Sequence, residues 1–107
     1  SGRAFANVAG NTSVAWAVKK NPALKLSFNY STGKLFGMPF RKDDVETRNL
    51  VEAAIECMKK DGTLAAMSEK WFGFTPKEGD AAVTVQPGFG QPGIEGYDET
   101  PHEMSCS

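Results

Sequence analysis

Residues 43–74, DDVETRNLVEAAIECMKKDGTLAAMSEKWFGF, decide how the chain folds. Apolar side chains recur at the helical period in the first half of this stretch and form one continuous face. They are Leu50, Val51, Ala54, Ile55 and Met58. The pattern predicts an amphipathic helix that Asp43 or Asp44 caps at its start and that Asp61-Gly62 ends with a left-handed turn. Thr63 can then cap a second, shorter helix, which runs through Phe72.

Strand patterns precede these helices. Ala4 to Ala9 is a small, apolar stretch, and Leu24, Leu26 and Phe28 alternate with polar residues. Leu35 to Phe40 is a third candidate, placed at a sheet edge or bulge because Pro39 donates no ladder hydrogen bond. A short helix over Val14 to Lys20 lies between the first two strands. The order predicts an α/β fold of short strands with two to three helices.

Length and composition exclude several classes of protein. The 107 residues suffice for one small domain, and no apolar run is long enough to cross a membrane. A net charge of −1 argues against a nucleic-acid-binding protein held by many phosphate contacts. Two cysteines and one histidine cannot supply a zinc site of four Cys and His ligands, and we expect no metal or cofactor.

Residues 75–107 differ from the rest of the chain. They carry one Lys against six Asp and Glu, whereas residues 1–74 carry 11 basic and 7 acidic side chains. The same segment holds 5 of the 11 glycines and 4 of the 6 prolines. We expect an irregular, acidic tail whose one strand candidate is Ala81 to Val85.

No catalytic constellation is visible. The single histidine, His102, lies in the tail, where an exposed terminal side chain is the simplest interpretation. The paired carboxylates of Asp43-Asp44 are better explained as a helix cap. Gly88-Phe89-Gly90 lacks the flanking strand and helix of a phosphate-binding loop. Trp71-Phe72 is interpreted as packing rather than as a ligand platform.

The order of motifs resembles one bacterial family. Gly2-Arg3-Ala4 opens a strand, Phe36-Gly37-Met38-Pro39-Phe40-Arg41-Lys42 leads to the long helix, and Asp61-Gly62-Thr63-Leu64 precedes Ser68-Glu69-Lys70-Trp71-Phe72-Gly73. This closely resembles the C-terminal part of family 3 extracytoplasmic solute-binding proteins of amino-acid ABC transporters, over residues 2–74. The resemblance implies a partial lobe of the type II periplasmic-binding fold, and a periplasmic or extracytoplasmic location.

That resemblance also implies a domain plan and a function. Residues 1–30 would be a remnant of ligand-binding lobe two, residues 31–74 the returning part of lobe one, and residues 75–107 an added Gly/Pro-rich tail. The implied function is binding of an amino acid or related small polar solute for uptake through a membrane permease. The alternatives are an enzyme on the same fold, similar to cyclohexadienyl dehydratases, and a sensor or repurposed lobe; we expect no enzyme.

The resemblance places the ligand-binding edge at Gly10, Asn11 and Thr12. Family members usually have an Asp there that holds the ligand's ammonium group, because a carboxylate pairs well with a partly buried cation. Here the matching position is Gly10 or, with a one-residue shift, Asn11, and Phe5 replaces another common Asp. A plain turn with a helix cap explains Gly10 and Asn11 equally well.

Two further expectations concern covalent and oligomeric state. Cys57 and Cys106 either form a disulfide that fixes the tail across the long helix, which an extracytoplasmic location permits, or remain a small core residue and a free thiol. Most ligand contacts of the family lie in an N-terminal half that this chain lacks. Unpaired strand edges therefore predict a homo-oligomer or a partner that supplies that half.

Overall fold

The computed structural model describes residues 2–34 and 36–106, and these contain three helices. Helix α1 spans Asn11–Lys20, α2 spans Val45–Lys60 and α3 spans Thr63–Phe72. Helix α3 packs against both α1 and α2. No helix of the described part is both long and apolar enough to span a bilayer.

Helix α2 confirms the amphipathic prediction at both ends. The Asp44 carboxylate accepts a hydrogen bond of 3.2 Å from the Thr47 backbone N–H and so satisfies one donor of the first turn. Glu46 lies in the first turn and Lys59 and Lys60 lie in the last, where each charge opposes the helix dipole. The sequence at each terminus thus favours the helix that forms.

A tight turn connects α2 to α3. The Asp61 carboxylate accepts a hydrogen bond of 2.8 Å from the Thr63 backbone N–H at the start of α3. Hydrogen bonds from the hydroxyl and the backbone N–H of Thr63 lower the pKa of Asp61 below its usual value, because they stabilise the charged form. Gly62 adopts φ +84°, the left-handed conformation that glycine accommodates without a Cβ clash.

Helix α1 begins three residues earlier than predicted, at Asn11, with Gly10 as its N-cap. It ends at Lys20, as predicted, because Asn21 precedes Pro22 and a residue before proline disfavours the α-helical conformation. The Lys19 ammonium donates to the Lys70 carbonyl at 2.5 Å and so ties the last turn of α1 to the last turn of α3.

The predicted α/β fold is wrong: the described residues contain helices and no strand. The alternating side chains Leu24, Leu26 and Phe28 are 48%, 56% and 80% exposed, so their segment has no sheet or core to pack against. A segment with strand propensity forms a strand only where it has a hydrogen-bonding partner and a buried face. The described chain offers neither to the segments over 4–9, 24–28 and 36–40. Residue 35, the start of the third predicted strand, lies outside the described residues.

The Ala81 to Val85 prediction is also wrong. Residues 81–83 form a turn, closed by hydrogen bonds of 3.0 Å from the Val83 and Thr84 backbone N–H groups to the Asp80 carbonyl. The only bridge between extended residues in the described part joins Phe89 to Asp98.

The C-terminal segment folds back onto α2 as a hairpin, residues 86–106, hereafter the tail hairpin. The Phe89–Asp98 pair exchanges two backbone hydrogen bonds of 2.8 Å and joins its two legs. Behind this pair, the His102 ring stacks on the Phe89 ring with centroids 3.8 Å apart. His102 is therefore half-buried, in contrast to the exposed side chain expected from the sequence.

A disulfide closes the return leg of the tail hairpin. It joins Cys57 in α2 to Cys106, 49 residues later, with Cα atoms 5.5 Å apart. Apolar packing contributes little here, because no apolar side chain in the described residues is fully buried. The buried residues are instead Glu56, which bonds Gln86 of the tail hairpin, and Gly88, which lies inside the hairpin beside Asp98.

Candidate functional site

The predicted ligand-binding residues form the start of helix α1. Gly10 is its N-cap, and the Gly10 carbonyl accepts the first helical hydrogen bond from Val14 N–H at 3.0 Å. The Asn11 side-chain oxygen accepts a hydrogen bond of 2.8 Å from the Thr12 backbone N–H. Gly10 and Asn11 are exposed, whereas Thr12 is half-buried. These residues present a helix N-terminus, with its partial positive charge, to solvent.

An aromatic ring covers one side of this turn. A Cβ added at Gly10 would lie 3.5 Å from the Phe36 ring, which is an ordinary van der Waals contact. The turn before α1 therefore lies beside Phe36, which belongs to residues 31–74, the predicted returning part of lobe one. Phe36 itself is 86% exposed, so its other face is free of the described residues.

Thr12 also borders an open groove between α1 and α3 of about 460 Å³. The groove is lined by Thr12, Ser13, Trp16, Ala17 and Phe72. Thr12 and Phe72 thus border the same groove, and Phe72 also stacks on Phe74 with centroids 6.0 Å apart. Gly10 and Asn11 do not line this groove, and Trp71 is 51% exposed with the Lys70 ammonium 5.3 Å from its ring centroid.

Side chains of metal-binding type are spread over the described part of the chain. Across residues 2–34 and 36–106, no three His, Cys, Asp or Glu side chains come together to hold a metal ion. Of the two predicted capping carboxylates, Asp44 caps α2, and the disulfide joins Cys57 of α2, a helix that does not pack against α1, to Cys106 of the tail hairpin. The start of α1 exposes hydrogen-bonding groups and the positive end of the helix dipole.

A polar stripe on α2 was missed by the sequence analysis. Arg48, Glu52 and Glu56 follow one another at four-residue spacing, which places them on one helix face. Each one bonds the backbone of the tail hairpin: Glu56 accepts from Gln86 N–H at 2.7 Å, Glu52 accepts from Gly90 N–H at 2.6 Å, and Arg48 donates to the Gly96 carbonyl at 2.7 Å. The repeated spacing of long polar side chains was the signal available in the sequence.

Charged groups at this contact have several hydrogen-bond partners. The Lys59 ammonium bonds the other oxygen of Glu56 at 2.5 Å, so this buried carboxylate has two donors. At the hairpin closure, hydrogen bonds from the backbone N–H and then the hydroxyl of Thr100 lower the pKa of Asp98, and the Arg48 charge adds a smaller effect in the same direction.

Residues 3–74 match the bacterial extracellular solute-binding proteins, family 3, and because this is well over half of the chain, the protein belongs to that family. Among curated proteins, it is similar to the L-cystine-binding protein TcyJ of Escherichia coli strain K12, with 40% identity over 55 residues. That alignment covers 51% of this chain and 21% of the relative. The L-cystine-binding protein TcyJ of Escherichia coli O6:H1 matches with the same identity and coverage.

The chain therefore spans about a fifth of the length of the curated relatives it matches. No solved structure matches it. The family match ends at residue 74, so the tail hairpin lies outside the matched region. The resemblance inferred from the motifs is confirmed.

Proposed function

We propose that this chain is the C-terminal portion of a binding protein that captures an amino acid or related small polar solute outside the cytoplasm. The captured solute would pass to the membrane permease of an ABC transporter. The observation that carries this proposal is the family match over residues 3–74. The fragments of lobe two and lobe one, residues 1–30 and 31–74, would each belong to one side of the solute cleft.

The start of α1 supplies the local chemistry of binding. Backbone N–H groups at a helix N-terminus and their partial positive charge favour an anionic group such as an α-carboxylate. The Asn11 side-chain oxygen and the Thr12 hydroxyl offer acceptors for an ammonium group. Because Asn11 brings no charge, its bond to the ammonium group is weaker than the one formed by a carboxylate at the same position.

Exposed apolar side chains support a larger assembly around this edge. Phe5, Phe28 and Phe36 are each at least 80% exposed, on segments without a strand partner in the described chain. In the proposed protein, an N-terminal half or a second copy of the chain pairs with these segments and completes the cleft. Solute would then stabilise the closed arrangement of two lobes through contacts that the open arrangement lacks.

L-cystine is the first solute to test, because the two curated relatives are named for binding it. Native mass spectrometry of the purified protein would first establish which copies or partners are present. Isothermal titration with L-cystine and with single polar amino acids, on the same sample, is expected to give saturable binding of at least one of them. The recovered solute should be chemically unchanged.

The titration has a matched control in the chain. Asn11→Ala removes the acceptor at the start of α1, and Asn29→Ala removes an exposed asparagine with no hydrogen bond in the described structure. We expect Asn11→Ala alone to weaken binding. Absence of binding by the assembled protein, or chemical conversion of the solute, would overturn the proposal.

A further inference from the structure

The tail hairpin lies over α2 without fully burying any apolar side chain of the described residues. The hairpin follows the helix towards the N-terminus, with Gln86 at Glu56, Gly90 at Glu52 and, past its tip, Gly96 at Arg48. Its return leg ends at the disulfide between Cys106 and Cys57, the neighbour of Glu56. The two ends of the hairpin are thus attached to neighbouring residues of α2, Glu56 and Cys57.

We propose that the tail hairpin is a redox-released cover: it stays on α2 while the Cys57–Cys106 disulfide is intact and detaches when the disulfide is reduced. The proposal rests on how the hairpin is held and is independent of the solute proposal. It adds a conformational device to a segment that lies beyond residue 74, where the family match ends.

The non-covalent contacts alone hold the tail hairpin weakly. Its outer ion pair, Lys42 with Glu95 at 2.8 Å, joins side chains that are 86% and 82% exposed, and such pairs contribute little in water. The polar contacts between α2 and the hairpin are hydrogen bonds to its backbone, for which water is a ready substitute, and the Arg48 guanidinium lies 5.9 Å from the Phe89 ring centroid. No fully buried apolar side chain adds to them in the described part of the chain.

The disulfide, by contrast, confines the hairpin strongly. It closes a loop of 49 residues' separation. In the chain-entropy model, closing a loop of that size favours the closed state by about a thousandfold. Loss of the disulfide therefore removes the largest single restraint on the hairpin and leaves contacts that compete directly with water.

The chemistry of release is thiol–disulfide exchange. Cys106 is exposed, so a dithiol can attack its sulfur and form a mixed disulfide. The second thiol of the reductant then resolves that intermediate. In total, two electrons and two protons pass from the dithiol to Cys57 and Cys106, the protein disulfide becomes two thiols, and the dithiol becomes a disulfide. Cys57 is half-buried under the hairpin and is the less accessible of the two sulfurs.

Helix α2 can survive the release because the surface that it uncovers is polar. Arg48 and Glu52 become hydrated, and Glu56, which is 2% exposed under the hairpin, gains contact with water while keeping Lys59 on the same helix. The helical hydrogen bonds, the Asp44 cap and the packing on α3 do not involve the hairpin. Release is therefore a local opening, distinct from unfolding.

Hydrogen exchange measured on the full chain tests this directly. Amides of Gln86 and Gly90, which bond Glu56 and Glu52, are compared in the oxidised protein, in the protein reduced with dithiothreitol, and in Cys106→Ser. We expect exchange at these amides to accelerate at least tenfold in the two disulfide-free forms, and the α2 amides to keep their protection. Reoxidation of the reduced sample should restore the slow rate.

A matched variant separates the disulfide from the polar contacts. Lys42→Ala removes the exposed ion pair with Glu95 and leaves the disulfide in place. We expect the amides of Gln86 and Gly90 to exchange in this variant at the same rate as in the parent chain. An acceleration below tenfold on reduction would overturn the proposal, because the polar contacts alone would then hold the hairpin. Equal acceleration along α2 would also overturn it, because the disulfide would then support the whole fold and not the hairpin alone.

Discussion

The Glu56 carboxylate accepts a hydrogen bond of 2.7 Å from the backbone N–H of Gln86, thirty residues further along the chain. Glu56 is also the most buried side chain in the described structure, with 2% of its surface exposed. A carboxylate in such a place requires strong donors, and Lys59 supplies the second one. The contact between α2 and the C-terminal segment is thus organised around a charge and not around an apolar core.

Replacing Glu56 should destabilise the protein strongly. Glu56→Ala leaves the Lys59 ammonium, whose side chain is 12% exposed, and the Gln86 N–H without their acceptor. Breaking a buried ion pair by removing one partner costs about 3 kcal/mol, and we expect that loss in the free energy of unfolding measured in urea. Glu56→Gln keeps one acceptor and should lose less.

The exposed pair gives the comparison for that experiment. Lys42→Ala removes an ion pair of similar length whose side chains are both over 80% exposed. It should change the free energy of unfolding by less than about 1 kcal/mol. If Glu56→Ala and Lys42→Ala lower the free energy of unfolding equally, the burial of Glu56 does not increase the cost of breaking its ion pair.

Gly88→Ala should disrupt the closure of the tail hairpin. A Cβ at this position would lie 2.2 Å from the Asp98 carbonyl oxygen, and the backbone must move to relieve that clash. We expect a loss of about 1–3 kcal/mol, typical of overpacking. Amide exchange at Phe89 and Asp98, whose backbones pair, would report it. Gly37→Ala is the control, since nothing lies within 4 Å of its added Cβ and its φ is not positive.

Acid should weaken the fold through two carboxylates. Hydrogen bonds from Thr63 and Thr100 lower the folded-state pKa values of Asp61 and Asp98, respectively. A depressed pKa contributes stability that is fully present above the unfolded-state pKa and is lost as pH falls through the folded-state value. Urea midpoints should therefore fall as the pH drops below about 4.

Amide variants identify the source of that acid sensitivity. Asp61→Asn and Asp98→Asn remove the titrating groups, so the double variant should show a smaller drop in midpoint between pH 6 and pH 2. Asp43→Asn changes a carboxylate without a hydrogen bond in the described structure and should leave the drop as it is. A double variant with the parent's full pH dependence would contradict the assignment.

Asn11→Asp should tighten binding of a solute that carries an ammonium group. The substitution keeps the acceptor that faces the Thr12 N–H and adds a negative charge at the start of α1, where the helix dipole also favours it. An ion pair in place of a hydrogen bond with one charged partner is worth about 1 kcal/mol at an exposed site, or about fivefold in Kd by titration. Asn29→Asp adds the same charge elsewhere and should leave the Kd unchanged. Weaker binding by Asn11→Asp would place the solute carboxylate at this position instead.

The helices were predictable because each is encoded locally. The apolar period of α2, the capping carboxylate of Asp44 and the turn at Asp61-Gly62 act within a few residues of one another. The strands were not predictable in the same way, since Leu24 and Phe28 have the right pattern but no partner segment. Alternation describes a surface that can join a sheet, while the sheet itself depends on residues far away in the chain or outside it.

Part of the candidate site is also encoded locally, and part of it depends on packing between distant segments. The position of Gly10, Asn11 and Thr12 at a helix start follows from the local turn and cap signals. The groove that joins Thr12 to Phe72 depends on how α1 packs against α3, which no local signal specifies. The tail hairpin is the extreme case, because the partners of Glu52 and Glu56 lie 38 and 30 residues away.

Side chains of α2 bond the tail hairpin through its backbone atoms, and this leaves the hairpin's own side chains freer to change. Helix α2 binds backbone atoms of Gln86, Gly90 and Gly96 and none of their side-chain chemistry. Position 86 can therefore drift to any residue that keeps an N–H, which excludes proline alone. The signature of this hairpin in a distant relative would be spaced glycines before a terminal cysteine, with little side-chain identity between them.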